Sequence, residues 1–209
     1  MERLLIWEGE QGWAGGWRAE TAQVELDDGA LRASGTQLGT HPLPYRLDYR
    51  LDASGEGYVT RSMRIAASGE GWERRLRLER DRGGEWTVKV GSEGGLDLPA
   101  PGGDAPGLRE ALDCDLGFSP LTNTMPVLRH GLHRRAGRVD FVMAWVSVPD
   151  LAVQASHQRY EHLDAAGDGA TVKYSSVEDG RETFTADLEL DRDGLVLHYP
   201  GLARRVTVA

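Results

Sequence analysis

From Pro44 to Ala53 the chain reads PYRLDYRLDA, and its apolar and polar residues alternate strictly. Leu47, Tyr49 and Leu51 fall on one side of an extended chain, and Arg46, Asp48, Arg50 and Asp52 on the other. This is the pattern of a strand with one buried face. The same alternation predicts strands in YVTRSMRIA, GWERRLRLERD and EWTVKVG, set apart by the turns ASGEG, SGEG and DRGG. Such spacing describes sequential antiparallel hairpins. A second series, SHQRYEHLDA, ATVKYSSVEDG, ETFTADLELDRDG and LVLHYPGLARRVTV, closes the chain with the turns DAAGDG, EDG and DRDG between its members.

Between the two series the pattern changes. Residues 91–107, GSEGGLDLPAPGGDAPG, read as a surface loop. TNTMPVLRHGLHR predicts one short helix, with Asn123 or Thr124 as its cap, Pro126 in its first turn and Gly131 as its stop. VDFVMAWVSVPDLAV is apolar on both faces, as expected of a central strand, with Pro149 at a bend or at its end. About a dozen strands and one helix result. The expected fold is mainly β: a single domain over residues 1–209, with one large curved antiparallel sheet forming a half-barrel or barrel-like roll.

Composition narrows the function. With 209 residues and 40% apolar content the chain can bury one substantial core. A net charge of −9 disfavours nucleic acid and anionic membrane surfaces, and no stretch approaches the ~18 apolar residues of a spanning helix. The N-terminal MERLLIWEGEQGW lacks a basic leader and a cleavage site, and the one cysteine, Cys114, excludes an internal disulfide; both fit a cytoplasmic protein. All but Lys89 and Lys173 of the 24 basic residues are arginine, the side chain suited to bidentate recognition of carboxylates and phosphates.

Two arginines break the alternation. Arg61 falls in register with Val59, Met63 and Ile65, and Arg74 with Trp72, Leu76 and Leu78. A guanidinium on an apolar face must be paired, bound to a ligand, or at the rim with its stem lying along the surface. In a curled sheet the inward face would form a concavity suited to an anionic or sugar head on a lipid tail.

The densest stretch is DCDLGFSPLTNTMP, residues 113–126. Cys114 stands between two acids that suppress its thiolate. Asp113 and Asp115, two apart on a strand, could hold a divalent cation, act in acid–base work or pair with arginine. His130 and His133 share a helix face without a third ligand. The chain contains no nucleophile elbow, HExxH, Walker loop or CxxC, and no cofactor is expected.

PYRLDYRLD, DCDLGFSPLTNTMPVLR, AWVSVPDLAV, QRYEHL and DGLVLHYPGLARRV, taken in order, resemble the successive blocks of the putative glycolipid-binding family of bacterial proteins. The resemblance spans nearly the whole chain and implies a single β-rich half-barrel or roll with a lipid or glycolipid ligand. It singles out Tyr45, Arg46, Asp48 and Tyr49; Asp113, Asp115, Gly117, Ser119, Pro120, Thr122, Asn123 and Thr124; Trp145; Gln158 and Tyr160; and Tyr199, Pro200 and Gly201. The resulting expectation is a non-enzymatic protein that binds a small amphipathic ligand, a glycolipid or lipid-linked sugar, in the sheet's concavity. Arg46, Arg50 and Arg61 would face the head, and Tyr49, Trp145 and Tyr160 would offer flat surfaces. The alternatives are a metal-assisted hydrolase of phosphorylated or sugar substrates using Asp113 and Asp115, and a partner-binding module; a homodimer is compatible with each.

Overall fold

In the computed structural model, which describes residues 1–10, 15–95 and 97–207, the chain forms one sheet of fourteen strands. The first seven are β1 (Glu2–Gly9), β2 (Arg18–Asp27), β3 (Ala30–Gly39), β4 (Tyr45–Ala53), β5 (Ser62–Gly69), β6 (Trp72–Arg80) and β7 (Trp86–Gly94). The remainder are β8 (Asp113–Leu116), β9 (Arg138–Val146), β10 (Val153–Ala166), β11 (Gly169–Glu178), β12 (Arg181–Leu190), β13 (Val196–Tyr199) and β14 (Ala203–Arg205). Their spatial order is β7-β6-β5-β4-β3-β2-β1-β14-β13-β12-β11-β10-β9-β8. Every pairing is antiparallel except that of β8 with β9.

The sheet is rolled but not closed, and its ends meet through loops and side chains. The Thr60 amide donates to the Leu112 carbonyl at 3.1 Å, and the Thr60 hydroxyl accepts from the Cys114 amide at 3.2 Å. Arg80 Nε and Trp86 Nε1 both donate to the Ala111 carbonyl, at 3.1 and 3.0 Å. Arg74, buried as the alternation required, meets no acid among the described residues. It donates to the carbonyls of Pro99, Asp150 and Leu98, fastening two loops to β6. Backbone carbonyls take up both terminal nitrogens of this guanidinium without a second charge to desolvate, while its Nε is buried with no hydrogen-bond partner among the described residues.

The inward face of the roll is filled. Leu47, Met63, Leu76, Leu78 and Leu116 from the sheet form one apolar cluster with Leu121, Met125 and Val127 from the segment after β8. That segment continues as a 3-10 turn, Leu121–Asn123, and the seven-residue helix α1, Thr124–His130. A helix this short is marginal alone in water, so burial of Met125, Pro126 and Val127 holds it. Gly131 ends it in the left-handed conformation at φ 65°.

Four expectations change in detail. Residues 91–94 extend β7, and Ala105–Leu108 form a 3-10 turn, so the predicted loop is shorter. β9 is buried on successive residues Val142, Met143 and Ala144 yet stands next to the sheet's edge, where the Ala105–Leu108 turn packs against β9 and β10. Asn123 precedes α1 but makes no side-chain cap bond. Arg61 is half-buried and stands just before β5, outside the strand that carries Met63 and Ile65. Among the described residues no helix is long and apolar enough to cross a membrane.

Candidate functional site

Inside the roll, polar residues gather around the turn that follows β8. Gly117 and Phe118 make that turn, Phe118 at φ 65°, and its ring lies 4.8 Å beneath the Arg18 guanidinium. Glu20 of β2 faces inward with Ala22 and Val24 and accepts three hydrogen bonds: from Tyr49 Oη at 2.6 Å, Ser119 Oγ at 2.8 Å and Gln37 Nε2 at 3.2 Å. Gly35 lies opposite Tyr49, and a Cβ there would stand 2.5 Å from the tyrosine ring; the missing side chain lets the ring reach Glu20. Burial pushes the Glu20 carboxyl up to about 7, against the lowering effect of its three donors. Burial and the neighbouring Glu20 push the Tyr49 phenol well above its usual range, so it remains a donor.

The two aspartates of β8 are similarly satisfied. Asp113 is fully buried and forms a two-pronged ion pair with Arg129 of α1, at 2.8 and 2.5 Å. Its carboxyl is raised by burial and pulled back by Arg129. Asp115 accepts from Thr122 Oγ1 at 2.9 Å and Gln158 Nε2 at 2.7 Å, and burial moves it up to about 6. The Asn123 side chain accepts from Tyr160 Oη at 2.5 Å and donates to the carbonyls of Ser119 and Pro120. Tyr160 in turn packs edge-on to Tyr174 at 5.4 Å, and Tyr174 against Tyr199 at 5.9 Å. Thr124 is wholly buried, and Trp145 is half-buried on β9 in register with Asp115.

Asp113, Ser119, Thr122, Asn123, Thr124, Gln158 and Tyr160 thus belong to the packed interior, with Asp115 half-buried at its border. The segment carrying most of them packs against the sheet's inward face, where the sequence placed the ligand. The oxygens of Asp113 face Arg129, and those of Asp115 face Thr122 and Gln158. Among the described residues no three His, Cys, Asp or Glu side chains come together as a metal site. Cys114 is buried, and burial beside the two aspartates holds its thiol well above the usual value, so it remains protonated.

The large hollow lies on the opposite side of the sheet. It measures about 1000 Å³ and sits on the outward face of β1 to β7. Asp48, Tyr49 and Arg50 line it, Tyr49 through its strand because its ring points inward. One continuous rung crosses its floor. Leu4 faces Gln23, Gln23 faces Ser34, Ser34 faces Arg50, Arg50 faces Arg64, Arg64 faces Arg77 and Arg77 faces Lys89. The rung runs from an exposed aliphatic residue, through two neutral polar ones, to four successive cations. Of the predicted head-binding arginines only Arg50 stands on it. Arg46 lies beside the hollow, ion-paired with Asp48 at 2.9 Å, and Arg61 lies in its loop away from the lining.

The family model described as "Putative glycolipid-binding" matches residues 5–205. The chain belongs to this family. A crystal structure of a DUF1089 family protein from Pseudomonas aeruginosa is similar to it at 29% identity and a TM-score of 0.67, covering 93% of this chain and 97% of that one. A beta-barrel-like protein of the domain of unknown function DUF1849 from Brucella abortus aligns over 99% of this chain and 95% of its own, at 8% identity and a TM-score of 0.47. No curated protein matches. The mainly β roll is therefore the family's fold as well as this chain's. The block DCDLGFSPLTNTMP, on which the resemblance chiefly rests, is an interior folding element of this family member.

Sequence reasoning missed Glu20, Gln37 and Arg129 inside and Arg64, Arg77 and Lys89 outside. Glu20 carried the signal used for Arg74: in RAETAQVEL it stands two residues before Ala22 and four before Val24, a charge in an apolar register.

Proposed function

We propose that this family member is a non-enzymatic binding protein for an amphipathic, glycolipid-like ligand lying in the outer hollow of β1 to β7. The rung from Leu4 to Lys89 carries the reading, because its chemistry changes along one line from apolar to neutral polar to cationic, as an amphiphile's does from tail to head. Thr21, Gln23, Ser34 and Thr36 add side-chain donors and acceptors between the two ends, as a sugar requires. The family description agrees with a ligand of this class.

Native mass spectrometry of protein purified from its own host tests the proposal. A lipid-sized adduct is expected, displaced by added short-chain glycolipid and reduced when Gln23 and Ser34 are both replaced by leucine. A ligand-free mass that stays unchanged with a panel of added glycolipids overturns it.

A further inference from the structure

With the outer hollow as the ligand site, a reading on which this inference rests, the cationic end of the rung specifies more than a polar head. Arg50↔Arg64, Arg64↔Arg77 and Arg77↔Lys89 are three consecutive like-charged pairs directly across neighbouring strands. Each such pair destabilises a sheet. The chain has the means to avoid this, with 33 acidic residues against 24 basic ones. Yet the charged residues lining the hollow are Arg50, Arg64, Arg75, Arg77 and Lys89 against the single acid Asp48, which is already engaged by Arg46. Glu79 serves Arg77 and, at 3.7 Å, Lys89, while Glu73 and Glu93 serve Arg75. Arg50 and Arg64 make no hydrogen bond or ion pair among the described residues, and both are exposed to the hollow. Two adjacent guanidinium forks, with their donors unengaged and their charges opposed, form a ready receptor for a doubly anionic group.

We infer that the head bound here carries at least two negative charges a few ångströms apart, a diphosphate or a bisphosphorylated sugar, gripped by Arg50 and Arg64 and flanked by Arg77 and Lys89. Neighbouring strands lie about 4.8 Å apart, so the four cations extend over roughly 14 Å, enough to follow such a head along its length. Guanidinium meets phosphate with two parallel N–H···O bonds, which gives the rung geometric selectivity for phosphoryl oxygens over neutral hydroxyls. Charge neutralisation by the ligand would remove the repulsion between the strands, so binding would also tighten β4, β5 and β6 against one another.

Three probes test this against wild type, Arg50→Gln and Arg64→Gln. They are inorganic pyrophosphate, phosphatidylcholine vesicles carrying a bisphosphorylated glucosamine lipid, and the same vesicles with that lipid dephosphorylated. Binding of the phosphorylated vesicles and of pyrophosphate is expected, with each substitution weakening it by about tenfold to a hundredfold and added salt weakening it further. Both variants are expected to melt no lower than wild type, which separates lost binding from lost folding. Equal binding of the two vesicles, unaffected by the substitutions, overturns the inference and leaves the amphiphile reading standing. Pyrophosphate bound in an arginine-dependent way without vesicle uptake upholds the dianion site and overturns the amphiphile reading. Failure of all three probes overturns both.

Discussion

The polar groups inside the roll and those on its outer face obey opposite rules. Around the turn after β8, Glu20, Asp113 and Asp115 each receive two or more hydrogen bonds from neighbouring side chains. On the outer rung, cations confront cations, and two arginines lack a hydrogen-bond or ion-pair partner among the described residues. The difference arises from solvent. A charge inside must be matched because desolvation without partners costs several kcal/mol, whereas an exposed mismatch costs only a few tenths. Buried carboxylates matched in this way therefore mark what the fold needs, and exposed cations left unmatched mark what it keeps open for something else. By that criterion the block with the composition of an active site is architecture, and the plainer alternating strands carry the candidate site.

Four measurements bear on the contrast, from the largest effect to the smallest. Arg129→Leu leaves the buried Asp113 without its partner and is expected to lower stability by about 3–5 kcal/mol, read from urea unfolding. Next comes the pH dependence. Folded Glu20 keeps its proton up to about pH 7, whereas the unfolded chain releases it near 4.5. The folded state therefore holds more protons between these values, and stability falls as pH rises through that window; Asp115 acts in the same direction between 3.8 and about 6. In Glu20→Gln the loss of stability on going from pH 5 to pH 8 should shrink; an unchanged slope would exclude Glu20 as its source. Tyr160→Phe removes the donor to Asn123 and should cost about 1–3 kcal/mol, measured by the same unfolding series. Arg64→Gln, by contrast, should raise stability by a few tenths to about 1 kcal/mol, seen as a higher melting temperature. A destabilised Arg64 variant would collapse the distinction between the two regions.

The strands are legible in the sequence because period two is local. Tyr45 to Ala53 alternates in the structure as it does on paper, and the stop at Gly131 reflects a glycine's tolerance of the left-handed region. What stayed hidden depended on distance or register. Asp113 finds Arg129 only because α1 folds back beneath β8, and no spacing rule predicts a partner sixteen residues on across a turn and a helix. The outer rung is hidden for a different reason. Arg50, Arg64, Arg77 and Lys89 each sit on a polar face in their own strand, but only the hairpin register sets them in line; a slip of one residue would turn each strand's polar face inward. Arg61 shows the converse failure, since alternation continued past the point where the strand begins.

The sheet order sets β1 beside β14, so the meanders β1 to β7 and β9 to β14 are sewn together along a seam of three residue pairs, from Trp7↔Arg205 to Gly9↔Ala203. During synthesis β1 to β7 emerge first, and nearest-neighbour hairpins alone suffice to bring the rung's residues into line. Their apolar inner side remains bare until the segment around residues 113–132 arrives to cover it, and the seam, which joins residues nearly two hundred positions apart, is in place only when β14 has been made. The proposed ligand face is thus drafted early by short-range pairing and made rigid late by long-range closure. The nascent chain's period of greatest risk is the interval between the two.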